Sequence, residues 1–373
     1  MNTTNIYDCA IIGGGLAGLT LSIQLAKIGY KVVIFERHKY PFHKVCGEYI
    51  SNESYDFLER IGLNLKALNL PDINEVRITS PRGFFLQEKL DLGGFGISRY
   101  KLDSELANIA KNLNVEVLDG VKVNDITKEN LYTIVTNQSE SENKFRAKIV
   151  CGAFGKYTPA FIDVKNEGKF IGVKYHLKAN FPDNLIELNN FEDGYCGISK
   201  IEDDKYCMCY LTTTDNLKNN NNDIKKMEQK ILYKNKNLKK YFNESTFLYE
   251  KPVTISQIYF GIRKVNDYNI LLLGDALGCI APLFGNGMSI AMRTSFELSK
   301  ILDKYFKNNI TIEDLYNEYQ TIYDKYFTNR IKRSIFLQNM FGNGLITDFT
   351  IGLLSKTKFI TKKLIENSHG DIF

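Results

Sequence analysis

The sequence predicts an α/β protein in which a Rossmann-type domain is interrupted by a mostly antiparallel β-sheet and followed by a helical segment. Three observations predict this arrangement. A buried strand, a glycine-rich turn and a helix follow one another over 6–28, apolar and polar residues alternate through much of 161–260, and helical periodicity dominates 307–373. The strand–turn–helix unit is typical of dinucleotide-binding domains. The alternating segments indicate a sheet with one packed face and one face open to a ligand.

The glycine-rich turn carries the G-x-G-x-x-G spacing at Gly13, Gly15 and Gly18. Gly13 permits a tight turn, Gly15 lets a pyrophosphate approach the backbone, and Gly18 lets the helix pack closely on the strand. The pyrophosphate then faces the positive end of the helix and its first amide groups, which include those of Leu16 and Ala17. These five residues are therefore candidate cofactor contacts.

The second strand of this unit, 31–35, ends at Glu36, about 20 residues after the middle glycine of the turn. An acidic residue at this place accepts hydrogen bonds from the ribose hydroxyls of an adenosine, and the crossover between the two strands is expected to be right-handed. Strand, glycines, helix, strand and acid occur together, which favours a dinucleotide site over an incidental helix turn. Arg37, at the start of the basic loop that follows, is a further candidate cofactor contact.

Composition restricts the classes of function to be considered. The 373 residues carry a net charge of +5, which is too small over this length to indicate nucleic-acid binding. No window of about 18 consecutive apolar residues is present and no basic-then-apolar segment precedes the first strand, so we expect neither a membrane span nor a signal peptide. The seven cysteines are scattered without a disulfide-framework spacing, which predicts free thiols and a cytoplasmic location.

The basic loop contains the sequence Lys44-Val45-Cys46-Gly47. A Rossmann unit followed by a Lys-x-Cys-Gly loop resembles the FAD-dependent oxidoreductases that include geranylgeranyl reductases, FixC-type dehydrogenases and aromatic-ring hydroxylases (group A flavoprotein monooxygenases). The resemblance implies that FAD is the cofactor and that the Cys-Gly pair lies close to the flavin. Lys44, Cys46 and Gly47 are accordingly predicted cofactor contacts, and the predicted partner is a small-molecule substrate.

A second motif begins at Gly274-Asp275, the end of a buried strand that is followed by a glycine-rich turn and a long helix. This order resembles the family's Gly-Asp…Pro-x-x-Gly-x-Gly-x-x-x-Ala pattern. The resemblance implies that Asp275 accepts a ribityl hydroxyl of the flavin and that the turn lets the backbone approach the isoalloxazine. The start of the helix then points its positive end at flavin N1 and O2. The residues of this motif that we predict to contact the cofactor are Gly274, Asp275, Pro282, Gly285, Asn286, Gly287 and Met288.

Two further positions follow from the resemblance. Arg99 stands shortly before a Leu-Asp-x-x-Leu segment and resembles the family arginine that contacts FAD. Residues 151–158 stand where the hydroxylases carry Ala-Asp-Gly-x-x-Ser, but Phe154 replaces the aspartate, and Gly155 keeps the turn and is a predicted cofactor contact. Because that aspartate helps to hold the nicotinamide cofactor in the hydroxylases, NAD(P)H is only a candidate electron donor, and a separate donor protein is the alternative.

Cys46 and Glu48 are the candidate catalytic residues. Cys46 is expected to line the flavin face, where it would tune the flavin or gate the pocket. Glu48 is expected to donate a proton if burial raises its pKa, and the alternative is that it caps the helix predicted to begin near Asn52. No metal site is predicted, because the four histidines have no ligand spacing and Cys207-Met208-Cys209 lacks a Cys-x-x-Cys partner.

The predicted domains are discontinuous. Their segments are 1–70, 98–160 and 256–306 for the FAD-binding domain, 71–97 and 161–255 for the substrate domain, and 307–373 for the C-terminal helices. Within the substrate domain, 216–222 is predicted as a polar mobile loop and 223–241 as a basic surface helix. Residues 349–354, which several lysines follow, could contact a membrane surface. Because an apolar stripe more often packs on a core, capping of the cofactor domain is the preferred prediction.

Two reaction types remain open from the sequence. One is a monooxygenase of the aromatic-hydroxylase type, in which a flavin C4a-hydroperoxide transfers an oxygen atom to a small aromatic or otherwise electron-rich substrate. The other is a reductase or dehydrogenase like geranylgeranyl reductase, acting on an alkene or lipid-like substrate, which the Lys-x-Cys-Gly loop favours. Residues 195–199 lack the Trp and Pro of the Tyr-x-Trp-x-Phe-Pro segment of prenyl reductases, and this favours the monooxygenase, the preferred prediction. A flavin-binding protein without turnover is the weakest alternative.

Overall fold

The computed structural model describes residues 5–138, 141–157, 159, 161–162, 168–281, 287–341, 344–354, 357 and 370–373. Within these residues the strands are β1 (Ile6–Ile12), β2 (Val32–Glu36), β3 (Tyr49–Ser51), β4 (Asp72–Thr79), β5 (Phe85–Gly96), β6 (Glu116–Asp119), β7 (Lys122–Lys128), β8 (Tyr132–Gln138), β9 (Ser141–Gly152), β10 (Phe170–Lys178), β11 (Leu185–Phe191), β12 (Gly194–Ile201), β13 (Lys205–Thr213), β14 (Thr246–Phe247), β15 (Val253–Ile258), β16 (Gly261–Ile262), β17 (Asn266–Asp267), β18 (Ile270–Leu272) and β19 (Gly278–Cys279). The helices are α1 (Leu16–Lys27), α2 (Tyr55–Ile61), α3 (Arg99–Asn112), α4 (Thr214–Lys218), α5 (Ile224–Lys230), α6 (Lys236–Glu244), α7 (Gly287–Phe306), α8 (Ile312–Tyr323), α9 (Asn329–Phe341) and α10 (Gly344–Leu354).

The first large sheet has the strand order β17-β18-β9-β1-β2-β6, and the strands from β18 to β6 are parallel. β2 is buried along its whole length, and its apolar residues 32–35 predict this burial. Ile11 of β1 lies beside Ile34 of β2 and beside Cys151 of β9. α1 connects β1 to β2 and contacts both α3 and α7. The predicted βαβ unit and the Rossmann-type domain are thus confirmed.

The second large sheet has the order β14-β10-β13-β12-β11-β4-β5-β3, with β15 paired to β10. Every neighbouring pair is antiparallel except β11 and β4, so the predicted mostly antiparallel sheet is confirmed. Tyr49–Ser51 forms the edge strand β3 of this sheet, although it lies within the predicted 1–70 segment. The domain boundaries themselves stay a prediction.

The second sheet has two different faces, because successive side chains of a strand point to opposite sides. Ile198 of β12 and Tyr210 of β13 belong to a core that includes Met227 of α5 and lies on the helix side. Tyr195 and Leu211 of the same two strands belong to a separate apolar cluster on the opposite side. This second face lines the cavity described below.

The structure corrects two predictions made for the substrate domain. The mobile loop expected at 216–222 is wrong, because α4 covers its start, Asn216 and Asn220 are buried, and Asn220 donates to the carbonyl oxygen of Asn216 at 2.8 Å. The single helix expected over 223–241 is also wrong, because Asn235 interrupts it and accepts hydrogen bonds from the first amides of α6. The buried asparagine side chains of this region form hydrogen bonds with backbone groups of turns and helix ends, and they do not form a solvent-exposed loop.

The C-terminal helices divide between the two domains: α8 packs on α7, and α10 packs on β5 and β11 of the second sheet. Ile351 of α10 is buried in the apolar cluster of the second sheet, whereas Phe349 and Leu353 are exposed. The preferred prediction, capping of the cofactor domain by 349–354, is wrong, because α10 packs on β5 and β11 of the second sheet. Membrane contact of the exposed residues, the alternative, stays untested, and the lysines that follow α10 lie outside the described residues. Among the helices that the structure describes, none combines the length and the apolar character needed to cross a bilayer. The predicted cytoplasmic location is not tested by this finding.

Candidate active site

A cavity of about 710 Å³ is lined by residues of both large sheets. The predicted site residues that line it are Gly13, Gly15, Leu16, Ala17, Glu36, Arg37, Lys44, Cys46, Gly47, Glu48, Arg99, Gly155, Asp275, Gly287 and Met288. Gly18 and Gly274 are not among the lining residues, and Pro282, Gly285 and Asn286 lie outside the residues that the structure describes. The N-terminal glycine turn and the Gly-Asp motif therefore meet at one cavity.

The glycine turn is shaped by two close approaches. Gly13 has φ +112°, and a Cβ there would lie 2.4 Å from the carbonyl oxygen of Ala153, so this position requires glycine. A Cβ on Gly18 would lie 2.1 Å from the carbonyl oxygen of Gly13. The helix α1 therefore packs directly on the end of β1, which is the role that the spacing predicts for Gly18.

Two cations stand at the open side of this turn. A Cβ on Gly15 would lie 3.6 Å from Arg99 Nη2 and 3.7 Å from Lys44 Nζ. Asp103 holds both cations, because its carboxylate accepts hydrogen bonds from Arg99 at 2.8 Å and pairs with Lys44 Nζ at 3.0 Å. Burial alone would raise the pKa of Asp103, but the charges of Arg99 and Lys44 lower it. Since α1 has no side-chain cap, its first amides and these cations together form a site suited to an anion.

Glu36 is held in place at the end of β2. Its carboxylate accepts hydrogen bonds from the backbone amides of Gly14 and His38, each at 3.0 Å. A carboxylate can accept further hydrogen bonds, so a hydroxyl group in the cavity is an additional candidate donor. Next to it, the guanidinium of Arg37 lies 4.0 Å from the ring centre of Tyr157. Both of these side chains also line the cavity.

The second motif brings a carboxylate to the start of α7. Gly274 has φ +61°, and a Cβ there would lie 2.9 Å from that of Ala17 in α1. Asp275 follows and lies with one carboxylate oxygen 3.9 Å from Lys156 Nζ. A Cβ on Gly287, the first residue of α7, would lie 3.9 Å from Asp275 Oδ1. The end of β18 and the start of α7 are therefore adjacent at the cavity.

The pairing of these two motifs agrees with a direct family comparison. A sequence model of the FAD binding domain family matches residues 6–322. The chain belongs to the FAD binding domain family. It is an FAD-dependent oxidoreductase, and the predicted fold, cofactor and enzyme class are confirmed at this level.

Several known proteins are similar to this flavoprotein over most of its length. Conditioned medium factor receptor 1 of Dictyostelium discoideum is 25% identical over 366 residues, which are 89% of this chain and 70% of that protein. Digeranylgeranylglycerophospholipid reductase 3 of Methanosphaera stadtmanae is 23% identical, and the match covers 96% of this chain and 94% of that protein. Squalene monooxygenase of Mus musculus is 23% identical, and the match covers 96% of this chain and 65% of that protein. The solved structure of the myxobacterial chondrochloren halogenase shares the fold, with a TM-score of 0.75 at 16% identity and coverage of 84% and 78%.

The residues that line the cavity fit FAD. The uncapped start of α1, with Arg99 and Lys44, would hold the diphosphate, Glu36 the adenosine ribose, and Asp275 the ribityl chain. Bound FAD supplies two-electron chemistry at its isoalloxazine ring. The assignment of each contact stays a prediction, while the anion site and the two carboxylates are the observations that support it.

The predicted flavin side of the cavity contains Cys46 and Phe154. Cys46 Sγ lies 3.5 Å from Met288 Sδ, so the Cys-Gly loop lies against the start of α7. Gly155 has φ +66°, which keeps the turn expected from the hydroxylase pattern. The half-buried ring of Phe154 lines the cavity where that pattern has a carboxylate. Because a phenyl ring accepts no comparable hydrogen bond, a nicotinamide contact at this position is not supported.

Glu48 is fully buried and has a role other than the one predicted. Its carboxylate pairs with Lys174 Nζ at 2.6 Å and His176 Nε2 at 2.5 Å, and it accepts the amide of Arg99 at 2.9 Å. Burial alone would raise the pKa of Glu48, but the hydrogen bond with His176 and the charge of Lys174 lower it to about 2. The condition set for a proton donor, a raised pKa, is therefore not met. The capping role near Asn52 is wrong, since Glu48 binds the first amide of α3 instead.

Sequence reasoning missed the partners of Glu48, because Lys174 and His176 stand on β10, 126 and 128 residues further along the chain. Their i, i+2 spacing places them on the same side of that strand, but the spacing does not say what they face. Glu48, His176 and Cys207 also lie close enough together to offer three ligands to a metal ion. Lys174 already neutralises the negative charge of the Glu48 carboxylate, so charge balance in this cluster does not require a metal ion.

Proposed function

We propose that this flavoprotein is a monooxygenase that transfers one oxygen atom of O₂ to an electron-rich carbon of a mainly apolar substrate. The second oxygen atom leaves as water, and an external donor supplies two electrons. A nicotinamide and a separate donor protein are the two candidate donors. Phe154, which stands in place of the hydroxylase aspartate, favours the donor protein.

The main observation behind this proposal is that the second sheet forms an apolar wall of the cavity. Its aliphatic lining residues are Val76, Ile78, Leu90, Ile186, Leu188, Ile198, Leu211, Val253, Ile255 and Ile258. A wall of this kind holds an apolar substrate because contact removes apolar surface from water. It also keeps water away from the reacting atoms, which suppresses side reactions. The lining therefore supports a substrate with more apolar surface than a small polar aromatic compound has.

The carboxylates of the cavity support oxygen transfer over reduction. Reduction of an alkene needs a proton for the second carbon, which an acid near the substrate supplies. The carboxylates among the described lining residues are Glu36, Glu48 and Asp275. Glu36 already binds two backbone amides, Glu48 is paired with Lys174, which lowers its pKa, and Asp275 lies beside Lys156. Oxygen transfer to an electron-rich carbon does not depend on such an acid.

A reductase that acts on an alkene of a lipid-like substrate is the second candidate. The Cys46-Gly47 loop, which lies against Met288 at the cavity, favours it. The similarity to a digeranylgeranylglycerophospholipid reductase over nearly the whole chain supports it as well. In that case the proton would come from water or from a weaker acid than a carboxylic acid.

The fate of oxygen separates the two candidates. The FAD-loaded protein is reduced with dithionite under argon, mixed with styrene or limonene, and then exposed to isotopically labelled O₂. Mass spectrometry of the products is expected to show one labelled oxygen atom in the substrate. Saturation of the alkene before oxygen is admitted would support the reductase instead. If the flavin is reduced and reoxidised but neither alkene changes, the proposal of an apolar alkene-type substrate is contradicted.

A further inference from the structure

Strand β12 presents alternate residues to the cavity. Tyr195, Gly197 and Ser199 line it from one side of the strand. Cys196 and Ile198 belong to the core on the helix side of the sheet, although Ile198 also reaches the edge of the cavity. The cavity side of this strand therefore has a large residue, then a glycine without a side chain, and then a small residue. In the Tyr-x-Trp-x-Phe-Pro segment compared above, the second and third of these positions are large and aromatic.

Gly197 lines the cavity and has room for a Cβ. A Cβ there would lie 3.4 Å from Leu188 Cδ2 and 3.9 Å from the carbonyl oxygen of Cys209, which are ordinary contacts. Other glycines of the same sheet are enclosed: a Cβ on Gly172 would lie 2.9 Å from Val45, and one on Gly194 would lie 2.2 Å from a carbonyl oxygen. A glycine inside a strand weakens the strand and often marks a place where a ligand approaches closely. At Gly197 no protein atom uses the space that the glycine leaves.

Tyr195 provides a polar group beside this space. Its side chain lines the cavity, the residue is only 6% exposed, and its hydroxyl has no hydrogen-bond partner within the described ranges of the chain. Burial raises the pKa of Tyr195 well above its ordinary value, so the hydroxyl keeps its proton and acts as a donor. The hydroxyl is not one of the fully buried unpartnered atoms, so it is accessible from the cavity. An oxygen atom of a bound ligand is therefore a suitable acceptor for its proton.

We propose that Gly197 determines the size of the substrate: the space before it receives the bulky apolar part of the substrate, and the Tyr195 hydroxyl donates to one oxygen of that substrate. This inference rests on the proposed apolar substrate and adds its shape and its polar atom. The substrate class is a long or branched hydrocarbon with one carbonyl, ether or hydroxyl oxygen. Replacement of Gly197 by a larger residue would fill the space with protein.

Straight-chain methyl ketones test this inference, because they carry a single acceptor and a variable apolar length. The probes are methyl hexyl, methyl decyl and methyl tetradecyl ketone, titrated into the FAD-loaded protein while flavin fluorescence is recorded. A leucine side chain occupies the place of about four probe carbons, so Gly197→Leu is expected to weaken binding of the longest ketone about tenfold or more. Binding of the shortest ketone is expected to be retained.

Gly197→Ala gives the smallest step of a size series, because the added methyl group makes only ordinary contacts and should weaken the longest ketone less than Gly197→Leu does. If Gly197→Leu does not fold, Gly197→Val is measured in its place, with a smaller loss for the longest ketone. Tyr195→Phe is expected to weaken the ketones about three- to tenfold and to leave binding of dodecane unchanged, since only the hydrogen bond is lost.

The outcomes separate this inference from the proposed function. If the wild-type protein with full flavin absorbance binds none of the apolar probes, the apolar substrate itself is wrong. If the wild type binds the longest ketone and both Gly197→Leu and Gly197→Val bind it equally well, the role of Gly197 is wrong while the apolar substrate stands. Equal ketone binding by Tyr195→Phe and wild type would overturn the polar contact.

Discussion

Glu48→Gln tests the buried ion pair behind the cavity. The side chains of Glu48 and Lys174 are both 0% exposed, and their charged atoms are 2.6 Å apart. The amide of the variant has nearly the same shape, but it leaves the Lys174 ammonium group buried without a counter-charge. Removal of one partner of a buried ion pair costs about 3 to 5 kcal/mol. We expect Glu48→Gln to lower the free energy of unfolding by this amount at neutral pH.

The same carboxylate makes stability depend on pH. The pKa of Glu48 is about 2 in the folded protein, against an ordinary value of 4.5. The difference between these values corresponds to about 3 kcal/mol of stability. Because the pKa is lower in the folded state, this stability is fully present at pH values above about 4.5. It is lost as the pH falls from there toward 2. Over this interval the wild type should lose more stability than Glu48→Gln.

The assay is urea unfolding followed by circular dichroism, with the same excess of FAD for each variant. Lys174→Met and the double variant Glu48→Gln/Lys174→Met complete the cycle. The double variant should be less destabilised than the sum of the two single variants, because neither charge then remains unpaired. A loss below about 1 kcal/mol in either single variant, or strict additivity, would refute the reasoning.

Three further predictions concern the cofactor and its loop. Asp275→Ala is expected to lower FAD affinity about tenfold or more, since a charge-assisted hydrogen bond is lost; flavin absorbance after gel filtration measures this, and full retention would remove the role of Asp275. Gly13→Ala is expected to destabilise the fold by about 2 kcal/mol, because a Cβ would lie 2.4 Å from the carbonyl oxygen of Ala153 at φ +112°; an unchanged thermal midpoint would contradict it. Cys46→Ser is expected to slow substrate turnover without loss of bound FAD, and turnover at the wild-type rate would make Cys46 a packing residue.

The parts of the site that could be predicted from the sequence are those with local causes. Gly13 and Gly274 adopt positive φ, a conformation that glycine takes without strain, so glycine at these positions of the motifs is a local signal. Glu36 follows a short apolar strand, so its place at a strand end can be read from periodicity. The location of Cys46-Gly47 near the flavin came from a resemblance to known flavoproteins. In the structure this loop lies against Met288.

Other features could not be predicted because their causes are not local. Polar composition over 216–222 suggested a loop, but Asn216 is buried and donates to the carbonyl oxygen of Glu192, 24 residues away in the chain. The pKa of Glu48 was expected to rise with burial, yet burial brings Lys174 and His176 with it, and they lower that pKa. Asp103 was seen only as part of a helix pattern, although it holds both cations at the glycine turn.

The sequence by itself determined the strand–turn–helix units, a dinucleotide site and the order of the two motifs, because these depend on residue spacing and on backbone conformations that few residue types allow. That the dinucleotide is FAD was implied by the resemblance to known flavoproteins. The tertiary structure alone decided which charges neutralise Glu48 and what stands in front of Gly197. Glu48 and Lys174 are 126 residues apart and meet because the loop that carries Glu48 lies against β10. The open space before Gly197 likewise exists because the second sheet faces the flavin domain across a cavity, and no property of β12 alone creates it.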